Sequence, residues 1–330
     1  MIITKTPLRV SFFGGGTDYP AWIKKHGGQV LSTAIDKYSY VSLRYLPPFF
    51  DHKYRISYSK LEYVKDYLAI ENPVVRSCIK HLSIEEGLEI HYDSDLPART
   101  GLGSSSAFTV GLLHSLYSLQ GKDVSIHTLA KEAIYIEQTM IGDTVGCQDQ
   151  IGTAYGGFNH ITFHKDGSFK VKPIQIRHDR LCQLQDHLML FFTGISRIAS
   201  TIAKEQVKEL DNHEKKLHQM SNLVTEAIEI LTREKPLNDF GLLLDQTWSL
   251  KRQLSKKISN DIVDELYQKA ITAGAIGAKL LGAGGGGFLL VFAPPECQAD
   301  VKKALANFLH VPFSFDSVGT QLLFNANQSS

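Results

Sequence analysis

Short runs that alternate apolar with polar positions, rich in β-branched and aromatic residues, fill most of the first hundred residues. They are MIITKTPLRVSFF (1–13), GGQVLSTAIDKYSYVSLRYL (27–46), KYRISYS (53–59) and GLEIHYDSDLP (87–97). Gly, Pro and Asp interrupt them, so each predicts a strand. The period then changes. Residues 104–120 and 126–141 carry apolar positions at helical spacing, and Ser125 stands where a capping hydroxyl is wanted. Residues 152–176 return to a strand pattern, with the Lys165-Asp166-Gly167-Ser168 turn predicting a hairpin.

A second group of elements starts at the apolar strand HLMLFFTG (187–194). A long charged helix is expected from about Ile198 to Thr232, with Val207, Leu210, Leu217, Val224, Ile228 and Leu231 on one stripe. His213 and Glu214 interrupt any heptad, so the stripe faces a core and not a coiled-coil partner. Helices are expected at 237–255, 261–273 and 297–309, β-rich sequence at 277–295, and a last strand at 311–324. The break in pattern falls within 160–186, which divides the chain into 1–180 and 181–330.

The composition, 330 residues with 43% hydrophobic and 21% charged, suits a globular enzyme with two lobes and a cleft. A formal net charge of +1 gives no electrostatic case for nucleic acid or an anionic membrane as partner. Cys78, Cys147, Cys182 and Cys297 form no Cys-x-x-Cys pair, as expected of reduced thiols. The first residues lack a basic-then-apolar leader, and no apolar run approaches the ~18 residues of a spanning helix. A cytoplasmic protein is expected. There is no His-Glu-x-x-His, and His160 and His164 fall in strand-like sequence, so no transition-metal site is assigned.

LPARTGLGSSSAF (96–108) places a Gly-Ser cluster at the start of a helix pattern. Glycines let backbone approach a ligand, and first-turn N–H groups are unpaired and carry partial positive charge, so an anion such as phosphate belongs there. It is not a Walker loop, since no lysine follows Gly101 or Gly103 before Lys122. A dinucleotide fingerprint fails because Ser106 stands at the third glycine position. Gly282, Gly284 and Gly287 do match G-x-G-x-x-G, but a β-rich run follows them in place of a helix.

PLRVSFFGGGTDYP (7–20), LPARTGLGSSSAF (96–108) and LLGAGGGGFLLVF (280–292), in this order and spacing, resemble the three motifs of the GHMP kinase superfamily over nearly the whole chain. The resemblance implies an α+β, two-lobed fold, with an N-terminal ribosomal-protein-S5-like α/β lobe and a C-terminal ferredoxin-like α+β lobe. It implies ATP and Mg²⁺ as cofactors, with Gly101, Leu102, Gly103, Ser104, Ser105 and Ser106 wrapping the phosphates and Ser105 and Glu137 on the metal. A solvated helix carboxylate is the alternative for Glu137. By the same resemblance Asp149, in GDTVGCQDQIGTAYGG (142–157), faces the acceptor hydroxyl, although capping the following turn would also suit it. Arg9 stands beside it as the basic residue that offsets charge on the transferring phosphoryl group.

The resemblance further places Gly15, Gly16, Thr17 and Asp18 at the acceptor sugar, and Gly284 and Gly285 where the second lobe closes the cleft. Galactokinases carry Glu-His where this chain has Gly15 and Gly16, which argues against galactose. The combination looks most like the group of D-glycero-α-D-manno-heptose-7-phosphate kinases, which phosphorylate the anomeric hydroxyl; the kinase domain of L-fucokinase shares much of it. A phosphorylated acceptor needs a second anion site, for which Arg197 and Lys251 are the candidates, ahead of Arg252. The fold also hosts non-catalytic ATP- and sugar-binding sensors and decarboxylases. Intact Asp149, Glu137 and serines favour the kinase.

Overall fold

The computed structural model describes residues 1–195, 199–233 and 235–326. The chain opens with β1 (Ile2–Phe13), α1 (Pro20–His26), β2 (Gly28–Tyr45), β3 (Tyr54–Ser57), β4 (Leu61–Val64), α2 (Pro73–His81) and β5 (Leu88–Ser94). It continues through α3 (Ser104–Leu119), α4 (Ile126–Tyr135), α5 (Gln148–Tyr155), β6 (Phe158–Phe163) and β7 (Phe169–Pro173). Next come α6 (His178–Asp186), β8 (Leu188–Phe192), α7 (Ala199–Lys208), α8 (Glu214–Thr232), α9 (Asn238–Arg252) and α10 (Asp261–Thr272). The last elements are β9 (Gly277–Leu280), β10 (Phe288–Phe292), α11 (Gln298–Ala304), β11 (Leu309–His310), β12 (Phe315–Asp316) and β13 (Gln321–Asn325).

The β-branched runs of β1 and β2 pair antiparallel from Ile2 opposite Leu43 to Ser11 opposite Ser32, and this ladder is the spine of the first sheet. The sheet runs β13-β1-β2-β5-β3-β4, with β6 and β12 on the near half of β2 and β7 beyond β6. A second, antiparallel sheet runs β11-β8-β10-β9. The apolar helix α3 packs on β1 and β2 with Val110, Leu112, Leu113 and Leu116 fully buried. The other face of β1 is covered by the second sheet's elements: Phe12 and Phe13 meet Phe240 of α9 with ring centroids 5.4 and 5.0 Å apart, both edge-on. Each such buried ring contributes about 1.5–3 kcal/mol, so the two sheets share one core at the level of the glycine motifs.

Several expectations are corrected. The helix expected over 198–232 is broken, because Asp211–His213 form a single 3-10 turn between α7 and α8. Residues 152–155 are the end of α5 and not strand, since Gly156 and Gly157, both at positive φ, end the helix before β6. The boundary at 180 falls inside α6, and β12 and β13 return to pair with β2 and β1, so the tail of 181–330 belongs to the first sheet. No helix among the described residues is long and apolar enough to cross a membrane.

Candidate active site

Gly101 and Gly103 hold φ of 86° and 75° in the loop that enters α3, values that glycine adopts without strain. Gly103 immediately precedes α3, so the N–H groups of Ser104, Ser105 and Ser106 belong to its unpaired first turn. Leu102 is buried, and its carbonyl accepts from Arg9 N at 3.0 Å, which ties the loop to β1. A Cβ on Gly101 would lie 2.6 Å from the Leu281 carbonyl oxygen, and one on Gly282 would lie 2.4 Å from Gly101 Cα. Phe288 N donates to Thr100 O at 3.2 Å. The third glycine motif is thus a backbone clasp on the phosphate-loop candidate.

Arg9 is 2% exposed, on the central strand β1. Its Nη2 and Nε donate to Asp149 Oδ1 at 2.7 and 3.2 Å, and its Nη1 donates to Gly101 O at 2.8 Å. One guanidinium therefore joins the glycine loop to Asp149, which sits in the first turn of α5 with its side chain 30% exposed. Cys147, the residue before α5, caps nothing with its side chain, and Asp149 is held by Arg9 instead of capping the turn.

Asp18 is buried, and its oxygens accept from Gly16 N at 2.9 Å, Gln148 Nε2 at 2.8 Å and Gln148 N at 3.4 Å. Burial first, and the nearby Asp149 charge second, push its carboxyl up from the ordinary range. Asp18 braces Gln148, the residue next to Asp149. Thr17 is wholly buried, with Oγ1 within donating distance of Gly14 O at 2.8 Å and Gln29 O at 3.0 Å, so it shapes the turn. Gly16 lines a small cavity with Tyr19, His213 and Leu217, and a Cβ on Gly15 would lie 3.7 Å from Gln148 Nε2.

Lys251 Nζ donates to the carbonyls of Leu280, at 3.2 Å, and Gly282. Burial, then the Arg9 charge, pull its ammonium down to about 8, while Asp18 and Asp149 oppose the shift. Its ammonium is thus held by backbone carbonyls within electrostatic reach of Arg9 and Asp149. Lys279, which sequence reasoning missed, donates from β9 to Ser11 O at 2.9 Å and Phe12 O at 2.6 Å across the lobes. Its signal was a lysine inside an apolar strand. Gly284 and Gly285 pack on the 258–260 turn: a Cβ on Gly284 would meet Ile258 Cα at 2.8 Å, and Gly285 N donates to Ile258 O at 2.8 Å. Arg197 lies outside the described residues. Arg252 is paired with Asp264 at 2.9 Å.

Glu137 stands in a π-helical turn, Ile136–Met140, that continues α4. Such turns recur at functional sites. Its Oε2 accepts from Gln150 Nε2 at 2.7 Å and Ser106 Oγ at 3.0 Å, while Oε1 is buried without a hydrogen-bond partner. The serine that hydrogen-bonds Glu137 is Ser106; Ser105, about 100° round the helix, is exposed. Burial outweighs these hydrogen bonds and pushes the Glu137 carboxyl up to about 7 from 4.5. A raised carboxyl stabilises the fold while protonated, fully below the unfolded value, and that contribution is lost as pH rises through about 7. The melting temperature of the nucleotide-free protein should therefore fall between about pH 5 and about pH 8. Glu137→Gln should flatten that fall; an identical pH profile in the variant would refute the assignment.

A buried cation cluster, a glycine loop opening a helix and a half-exposed carboxylate fixed between them define a phosphotransferase cleft. Residues 67–157 match the model of the GHMP kinases N terminal domain, and residues 226–311 match GHMP kinases C terminal. The chain is 32% identical over 323 residues to a D-glycero-alpha-D-manno-heptose 7-phosphate kinase of Campylobacter jejuni, covering 92% of this chain and 93% of that one. It is 27% identical to the bifunctional fucokinase/GDP-fucose pyrophosphorylase of Arabidopsis thaliana, over 94% of this chain and 31% of the longer relative. The crystal structure of a D-glycero-D-manno-heptose 1-phosphate kinase from Bacteriodes thetaiotaomicron superposes with a TM-score of 0.81 at 22% identity, covering 98% of this chain and 99% of that one. This chain belongs to the GHMP kinase family, has that family's two-lobed α+β fold, and is a sugar kinase.

Proposed function

We propose that this kinase transfers the γ-phosphoryl group of ATP to the anomeric C1 hydroxyl of D-glycero-α-D-manno-heptose 7-phosphate, giving the 1,7-bisphosphate. The observation that carries the chemistry is the Arg9 guanidinium bonded at once to Asp149 and to Gly101 of the glycine loop. It sets a carboxylate beside the place where loop N–H groups would hold the phosphates. The sugar oxygen forms a bond to phosphorus, the bond from phosphorus to the ADP oxygen breaks, and Asp149 takes the hydroxyl proton. Positioning matters as much as proton removal in a loose phosphoryl-transfer transition state. Arg9 and the neighbouring Lys251 offset the charge on the transferring group.

The residues present fit Mg²⁺. Glu137 offers a buried carboxylate oxygen with no hydrogen-bond partner, beside the serine hydroxyls of the loop, and hard oxygen donors suit that ion. Glu137, with Ser105 or Ser106, would hold it, and its chemistry would be neutralisation of phosphate oxygens. The acceptor reading draws support from the resemblance to the Campylobacter jejuni kinase. The test is ADP release with manno-heptose 7-phosphate, manno-heptose, L-fucose and galactose. Fastest release with the heptose phosphate supports the proposal. Preference for L-fucose would replace the acceptor, and no release with any sugar would favour a binding protein.

A further inference from the structure

The sequence holds no His-Glu-x-x-His motif, but the fold brings together two histidines and a glutamate from separate helices. We propose that His26, Glu214 and His218 bind a divalent transition-metal ion of the zinc class and so staple α1 to α8. One ligand atom from each of the three lies within 4.8 Å of the others. His26 Nδ1 is 3.9 Å, and His218 Nε2 3.5 Å, from the same oxygen, Glu214 Oε1. Tetrahedral zinc with bonds of about 2.0–2.2 Å separates its ligand atoms by roughly 3.3–3.5 Å, so small side-chain rotations complete the site. Glu214 and His218 are one turn apart on α8 and therefore share a face.

The rings are already oriented. His26 stacks on buried Trp22 with centroids 4.1 Å apart and planes 25° apart, and His218 meets the same indole edge-on at 5.1 Å. An ion pair between Lys25 and Asp211, 2.7 Å, holds the last turn of α1 against the approach to α8. Two imidazoles and one carboxylate leave a coordination position for water, as in three-ligand zinc sites. This donor set prefers Cu²⁺, Ni²⁺, Zn²⁺ and Co²⁺ to Mg²⁺, so it does not compete with the oxygen donors around Glu137. Direct metal binding distinguishes this site from plain His–Glu ion pairing at the same distances.

The test uses the untagged full chain, stripped of metal and kept in excess Mg²⁺. It is titrated with ZnCl₂ by calorimetry and with CoCl₂ by visible absorption, where a low-coordinate cobalt complex gives strong bands. One ion per chain is expected, with affinity in the order Mn²⁺ < Co²⁺ < Ni²⁺ < Cu²⁺ and Zn²⁺ below Cu²⁺, and zinc should raise the melting temperature. Glu214→Gln and His218→Ala, both on half-exposed positions, should each weaken zinc binding at least ~10-fold, the lower end of the effect of losing a partner of a ligand. Circular dichroism in chelator checks that both variants fold. Absence of stoichiometric binding in the wild type would overturn the proposal. So would unchanged binding in both variants, which would place the ion elsewhere, as at His178 and Cys182, 3.6 Å apart on α6.

Discussion

Asp149→Asn should lower kcat by roughly 10²–10⁴-fold, the usual cost of losing a general base, while the protein keeps its fold and its affinity for nucleotide. The asparagine is nearly isosteric, and its amide oxygen can still accept from Arg9, whose 2.7 and 3.2 Å bonds both go to a single oxygen, Oδ1. Arg9 also keeps its bond to Gly101 O, so the glycine loop remains anchored. What disappears is the basic oxygen at a half-exposed position facing the cleft. Steady-state turnover at saturating substrates, with nucleotide binding followed by calorimetry, separates the two. A variant with more than half the wild-type turnover would remove Asp149 from the chemistry.

The second large effect concerns the acceptor's far end. Charge-assisted hydrogen bonds to a phosphate are each worth about 1.5–3 kcal/mol. Two of them amount to roughly 3–6 kcal/mol, or about 10²–10⁴-fold in kcat/KM. Manno-heptose without its 7-phosphate should be a poorer substrate by that factor. Lys251 is committed to the carbonyls of Leu280 and Gly282 and lies near Arg9 and Asp149. If Arg197 holds the distal phosphate, Arg197→Ala should erase most of the preference for the phosphorylated sugar while changing kcat/KM for the unphosphorylated one little. Equal kcat/KM for the two sugars in the wild type would remove the distal anion site, and an undiminished preference in the variant would clear Arg197.

Local chemistry made much of the fold legible. The long strands β1 and β2 and the apolar helix α3 announce themselves because their side chains must satisfy one sheet face or one buried cylinder, and Ser125 does cap α4, accepting from Thr128 N. A short helix needs its punctuation read. The sequence Asn72-Pro73 carries an N-cap and a first-turn proline for α2, and Asn72 Oδ1 accepts from Val74 N and Val75 N. The break after α7 was equally marked, by Asp211-Asn212-His213, residues that favour turns over helix interiors.

Non-local pairings were not legible. Nothing in residues 315–325 says that they return to β1 and β2, because antiparallel partners hundreds of residues apart are chosen by which edges remain open. The candidate site divides the same way. The family resemblance implied Arg9, Asp149, Glu137 and the glycine loop, which the structure brings together. That Ser106 and not Ser105 bonds Glu137 depends on helix phase, and the burial of Asp18 and Thr17 depends on packing that a motif does not encode. Gln148 and Lys279 surfaced only as partners of Asp18 and of the β1 carbonyls.

The most direct test of the central claim is ³¹P NMR of the product formed from ATP and D-glycero-α-D-manno-heptose 7-phosphate. The account predicts a new sugar phosphate resonance coupled to the anomeric proton, appearing in step with ADP while the 7-phosphate signal persists. A new phosphate coupled to any other sugar proton, or ADP formed with only inorganic phosphate, would contradict it.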